Sequence, residues 1–192
     1  MFQQYPPVFE IKRKFSRMNK QRIAIDMDEV MADTIQKFID LYKSAHNIEI
    51  TIPMMYGKEF RDVLPEELYN TTRKYINEPG FFRDIPVMPD SQRVIKELNE
   101  KYEVFVVSAA MEFPNSLIDK YHWLAEHFPF ISWTHIIFCG LKIVNVDIFI
   151  DDRSRNFVDF DGRKLLYSSP HNLEIAEFER VNNWREVADK LL

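Results

Sequence analysis

The chain has 192 residues, enough for one domain with a substantial core and a small insertion. Hydrophobic residues make up 46% and charged residues 29%, the balance of a soluble globular protein, and the net charge of -5 offers no electrostatic case for nucleic acid or a membrane surface. A single cysteine, Cys139, excludes an internal disulfide framework and fits a reducing, cytoplasmic compartment, and no apolar run approaches the ~20 residues of a membrane helix.

Residues 1–19 mix prolines, basic residues and scattered aromatics and read as a poorly ordered extension. The first core element is the short apolar run Ile23-Ala24-Ile25, a buried strand that ends in Asp26 and Asp28. Two acids at i and i+2 repel unless a cation, a shared proton or a turn separates their roles. Taken alone, the stretch fits a strand running into a solvated acidic loop at least as well as a site. Ile35, Phe38, Ile39, Leu41 and Tyr42 then follow helical spacing to about Ser44, with Asp33 favoured as the cap. Residues 45–85 change character, with turn signals at Pro53 and Gly57, a helix start at Pro65 and a stop at Pro79-Gly80. They form a small, aromatic-rich helical cap set between two parts of a core, 20–44 and 86–192.

From Asp90 the pattern alternates. A helix over 91–101 precedes the strand Val104–Val107, which ends at Ser108. A helix over 115–127 presents Leu117, Ile118, Tyr121, Leu124 and Ala125 as its apolar face. Strands follow at 136–138, 146–150 and 164–167, and a closing helix runs over 180–192. Strands alternating with helices predict an α/β fold with a mostly parallel sheet covered on both faces.

In such a sheet all strand carboxyl ends lie along one edge. That edge gathers Asp26 and Asp28, Ser108, Lys142 and the pair Asp151-Asp152. Alone, Lys142 is a surface lysine, and its selection over Lys164 rests on motif order. With four glycines in the chain and no P-loop, phosphate has no glycine cradle, and the histidines lack zinc spacing. Clustered carboxylates select a hard cation, Mg²⁺ first. A cation, a lysine and a hydroxyl around one carboxylate meet the needs of phosphoryl transfer, with the carboxylate as nucleophile.

Asp26-x-Asp28, Ser108, Lys142 and Asp151-Asp152, in that order, resemble the four motifs of the haloacid-dehalogenase (HAD) superfamily of phosphohydrolases. Residues 26–33, Phe81-Phe82 and residues 148–152 are similar to the 5'(3')-deoxyribonucleotidases. The resemblance implies a Rossmann-like HAD core with flanking helices and a small helical cap inserted after the first strand–helix unit. It implies Mg²⁺-dependent hydrolysis of deoxynucleoside 5'(3')-monophosphates through an aspartyl-phosphate. Asp26 becomes the nucleophile and a metal ligand, and Asp28 the general acid/base, binding metal through its carbonyl. Ser108 and Lys142 hold the phosphoryl group, and Asp151 and Asp152 supply or orient the metal. It leaves a homodimer open.

Three residues depart from the family pattern: Glu29 stands where glycine is expected, Thr34 where an aromatic would stack on a pyrimidine, and Ala109 where a second hydroxyl is usual. Tyr56, Phe60, Phe81 and Phe82 then remain as stacking candidates, equally suited to a small core of the cap. Thr34 keeps a second substrate class in view, another small phosphorylated metabolite. A receiver-like domain shares the residue types but carries its phosphoacceptor on a middle strand, and here that strand ends in Ser108.

Overall fold

The computed structural model describes residues 20–192, so the expected extension over 1–19 lies outside the described residues. Six strands form one sheet: β1 (Arg22–Ile25), β2 (Glu103–Ser108), β3 (Ile136–Phe138), β4 (Ile148–Asp151), β5 (Arg163–Tyr167) and β6 (Glu179–Val181). Their order is β3-β2-β1-β4-β5-β6, and every neighbouring pair is parallel. The chain builds outward from β1 to β2 and β3, then returns to place β4 on the other side of β1. Ile25 therefore sits between Val106 and Ile150, and the ends of β1, β2 and β4 open together at the point where strand order reverses.

Five α-helices accompany the sheet: α1 (Thr34–His46), α2 (Thr71–Ile76), α3 (Ser91–Lys101), α4 (Ser116–His127) and α5 (Trp184–Leu191). Strand alternation puts Ile23 and Ile25 on one face with Val104, Val106, Ile148 and Ile150. That face shares a core with Phe38 and Tyr42 of α1, Val94, Ile95 and Leu98 of α3, Trp123 and Leu124 of α4, and Trp184, Val187 and Leu191 of α5. The opposite face, with Ala24, Val107, Phe149 and Leu166, meets Phe157 and Phe160 of the loop after β4. Both rings sit edge-on to Phe149 at 5.5 and 5.6 Å. Both faces are thus covered, but the second by aromatic side chains rather than by an α-helix.

Two element readings change. The closing segment contains an edge strand, β6, before α5, whose Asn183 side chain accepts from the Arg185 and Glu186 amides at 2.9 and 3.1 Å. On α4 the buried residues are Ser116, Asp119, Lys120, Trp123 and Leu124, while Ile118 and Tyr121 are exposed. The helix turns a polar pair inward because both find partners there, Asp119 on the Gly80 amide (2.7 Å) and Lys120 at the strand ends.

Between α1 and α3 lie three 3-10 turns, Ile52–Met55, Phe60–Val63 and Glu66–Leu68, and the short α2. The expected helix start at Pro65 is realised as a 3-10 turn, and Phe38, Phe60 and Phe81 stack together at 4.9 and 5.1 Å. Among the described residues no helix is long and apolar enough to cross a membrane.

Candidate active site

The turn after β1 is held on several sides. The amides of Met31 and Ala32 both donate to the Met27 carbonyl (2.8 and 2.9 Å), and Trp184 Nε1 donates to the Val30 carbonyl at 2.7 Å. Met27, Val30, Met31 and Ala32 are buried in the core. Asp33 then caps α1, its carboxylate accepting from the Gln36 amide at 2.9 Å. This framework leaves Asp26, Asp28 and Glu29 to face the space above the sheet edge.

Asp26 Oδ1 accepts from the Met27 amide (2.7 Å) and meets Lys142 Nζ at 2.6 Å. Among the described residues Oδ2 has no hydrogen bond. The same lysine reaches Asp151 Oδ2 at 2.7 Å, so Lys142 bridges β1 and β4. Asp151 also accepts from the Arg153 amide (2.8 Å) and from Asn156 Nδ2 (2.9 Å). Lys164 lies on β5 in register with Phe149, apart from this cluster. Burial pushes the Asp26 carboxyl up to about 7 against the pull of Lys142. Burial pulls Lys142 down, but Asp26 and Asp151 hold it above its ordinary value.

Asp26, Asp151 and Asp152 each offer a carboxylate oxygen, all within 4.8 Å of one another. Asp152 is buried, burial and its acidic neighbours push its carboxyl well above the ordinary value, and its Oδ2 has no hydrogen bond. Arg153 Nε and His171 Nε2 lie 3.6 and 3.5 Å from that oxygen, and an oxygen-only donor set of three acids fits a hard divalent cation. Asn172 and His171 hold the Asp152 carbonyl at 2.8 and 3.2 Å and so fix the chain behind it.

Asp28 turns to the opposite wall, where its Oδ2 pairs with Lys120, and its Oδ1 is buried without a partner. Lys120 Nζ donates to Ser108 Oγ at 3.0 Å and sits 4.5 Å from the Phe82 ring centroid. One ammonium therefore joins the ends of β1 and β2. Sequence reading missed Lys120. Its signal was present: Ser116, Lys120 and Trp123 lie on one helical face, and a lysine inside an apolar stripe needs a partner. Arg153, which the sequence offers as a surface or acid-pairing residue, does pair with acids, Glu59 and Asp152, while Asn156, five residues past Asp151, is not singled out by the sequence.

Glu29 has φ of +63°, the left-handed region that is costly for a residue with a Cβ. Its Oε2 is buried with no partner, and burial, with Asp33 and Asp28 nearby, pushes its carboxyl well above the ordinary value. Thr34 Oγ1 is buried and unpartnered as well. Both residues line a cleft of about 620 Å³ that is also lined by Asp26, Asp28, Lys120, Lys142 and Asp152. Of the four aromatic candidates, Phe60 and Phe82 line this cleft. Phe81 and Tyr56 do not. Phe81 is buried against Phe38 and Phe82, and Tyr56 is 54% exposed on the outside of its 3-10 turn. On the inserted segment Glu59 forms a two-pronged ion pair with Arg153.

Comparison with known proteins agrees with this geometry. Residues 20–192 match the family described as 5' nucleotidase, deoxy (pyrimidine), cytosolic type C protein (NT5C). A 5'(3')-deoxyribonucleotidase of Bacillus subtilis is 39% identical over 176 residues, covering 90% of this chain and 99% of that protein. A Staphylococcus epidermidis relative is 41% identical over 171 residues, covering 88% of this chain and 95% of its own length. At the level of fold alone, a HAD-type hydrolase of Bacillus subtilis solved with magnesium superposes with a TM-score of 0.55 at 13% identity, covering 91% of this chain and 99% of that one. The chain belongs to the NT5C family, has the HAD fold, and is a phosphoric monoester hydrolase.

Proposed function

We propose that the protein removes the phosphate from deoxynucleoside 5'(3')-monophosphates, with Mg²⁺, through a phosphorylated Asp26. The observation that carries the reading is Lys142 between Asp26 and Asp151, with Asp28 held apart from them on Lys120. The two acids thereby have separate jobs. The name of the Bacillus subtilis relative supports the substrate class.

Asp26 Oδ2 attacks phosphorus in line with the leaving oxygen. The bond from phosphorus to that oxygen breaks, and Asp28 gives the departing oxygen its proton. Asp28 then takes a proton from water, whose oxygen attacks the same phosphorus. The aspartyl bond breaks and Asp26 is restored. Ser108, Lys120 and Lys142 provide donors for the phosphoryl oxygens as charge moves onto them. Asp26, Asp151, Asp152 and the Asp28 carbonyl would hold Mg²⁺, which offsets phosphoryl charge and orients the substrate. The segment 45–85 acts as a cap over the cleft, and a substrate of nucleotide size suits that enclosure. The single cysteine supports work in the cytoplasm.

The test is hydrolysis of dUMP and dTMP against a panel of sugar phosphates, with and without Mg²⁺. Nucleotides should be preferred and turnover should need the cation. Sugar phosphates cleaved much faster than any nucleotide would overturn the substrate class. Asp26→Asn should abolish turnover, since an amide cannot act as this nucleophile, and retained activity would remove the covalent mechanism.

A further inference from the structure

Two of the departures in sequence, Glu29 in place of glycine and Thr34 in place of an aromatic, both fall at the junction of β1 and α1. Each leaves a buried oxygen without a hydrogen bond, Glu29 Oε2 and Thr34 Oγ1, and both residues line the same cleft. The core residues around Glu29 explain its direction. Met27, Val30, Met31 and Ala32 fill the interior, and the left-handed backbone at 29, closed by its amide on the Ala32 carbonyl (2.8 Å), turns this one side chain toward the cleft. Backbone strain retained beside reacting groups, together with an unpaired buried acceptor, marks a place where a ligand completes the bonding.

The position narrows the ligand. Asp26 and Lys142 occupy the phosphate end. Asp28, the residue before Glu29, faces the leaving oxygen in the proposed mechanism. The next polar group along the substrate therefore comes to Glu29 and Thr34. Glu29 lies outside the trio of close carboxylates at the metal position. We propose that Glu29 and Thr34 form a hydrogen-bonding ledge that reads the free sugar hydroxyl of the nucleotide, Glu29 accepting from it and Thr34 completing the pair. This rests on the nucleotidase reading and sharpens it. The leaving group is selected by a hydroxyl contact at the place where an aromatic would otherwise stack.

A site built to bond a hydroxyl rejects an analogue that lacks it, because its own polar atoms stay unpaired. The experiment compares kcat/KM for dTMP and for 3'-deoxythymidine 5'-monophosphate in the parent, Glu29→Gly, Glu29→Gln and Thr34→Val. Glycine accepts the left-handed backbone, so Glu29→Gly should fold, with circular dichroism as the check. The parent should prefer dTMP by roughly tenfold or more. Glu29→Gly should bring the preference to about twofold or less, and Glu29→Gln, which keeps an acceptor oxygen, should retain most of it. Thr34→Val should lower it in part. Equal turnover of the two nucleotides by the parent, or full preference in Glu29→Gly, overturns the ledge. Mg²⁺ titration by calorimetry provides the second readout. Tenfold weaker binding in Glu29→Gly would assign Glu29 to the metal and overturn the proposal. Failure of the nucleotidase reading looks different: the parent cleaves p-nitrophenyl phosphate but neither nucleotide, and the ledge falls with it.

Discussion

Asp26 keeps its proton to about pH 7 when no cation is bound, where an ordinary carboxyl of this type titrates at 3.8. The folded protein thus binds a proton that the unfolded chain releases above about pH 4, and stability should fall as pH rises from about 4 to about 7. Glu29 and Asp152, also pushed up by burial, act in the same direction. Asp33 is raised by burial as well, so His171, which burial lowers, opposes them as one group against four. Glu179, which Arg163 and Lys190 hold at about 2, titrates below this window in the folded state. Urea midpoints in a chelator should therefore be higher at pH 5 than at pH 8, and Asp26→Asn should flatten the difference. A midpoint that rises over that range would contradict the burial account. Lys120 gives a second residue-scale expectation. It is almost fully buried and joins Asp28 to Ser108, so Lys120→Met should cost kcat/KM on dTMP roughly 10²-fold, as for loss of one preorganised donor. Unchanged kinetics would remove it from the site.

At the scale of elements, the strand ends were legible and the helix faces less so. Ile23–Ile25 and Ile148–Ile150 are short apolar runs stopped by acids, and a buried parallel strand leaves few other readings. The acids at those strand ends were therefore legible from chain order, while Lys142 and the role of each residue rested on the resemblance to the HAD motifs. Lys120 was not legible, because α4 buries Asp119 and Lys120 on the same side as Trp123 and Leu124 and exposes Ile118 and Tyr121, a departure from the usual amphipathic pattern. The strand β6 is three residues long with only Val181 fully buried, too short for periodicity to register. The inserted segment is built of 3-10 turns, whose three-residue spacing imitates an irregular helix. One glycine belongs to this scale. A Cβ on Gly162, just before β5, would lie 2.5 Å from the Asp147 backbone carbonyl, which also accepts the Arg163 amide at 2.8 Å. Gly162→Ala should destabilise by about 2 kcal/mol as β4 and β5 are pushed apart, read as a lower urea midpoint with activity at low denaturant retained.

At the scale of the molecule, the inserted segment shares the core of α1, with Phe38 on Phe60 and Tyr42 bonded to Thr71 and Thr72, and reaches the far side of the cleft through a few polar contacts. The Gly57 amide donates to the Pro170 carbonyl at 2.9 Å, the Gly80 amide to Asp119, and Arg153 joins Glu59 to the loop that carries the acid pair. A cation bound among Asp26, Asp151 and Asp152 acts on the whole fold, because it binds the folded state and offsets the repulsion of three buried acids. Mg²⁺ at millimolar concentration should raise Tm at pH 8 more than at pH 5, and Asp152→Asn should lose most of that rise. An equal rise in the variant would take Asp152 out of the cation's environment. The indoles give the two sides of this cleft an optical readout. Trp123 Nε1 donates to the Ile85 carbonyl at 2.7 Å, where the inserted segment rejoins the core, and Trp184 holds the turn after Asp28 through Val30. Both rings are fully buried, while the third, Trp133, is 74% exposed. Trp133→Phe therefore leaves a protein with one fluorophore on the insert's return and one on the turn after β1. A further Phe at 123 or at 184 separates the two, and the wavelength of emission then reports which wall of the cleft a bound phosphate moves.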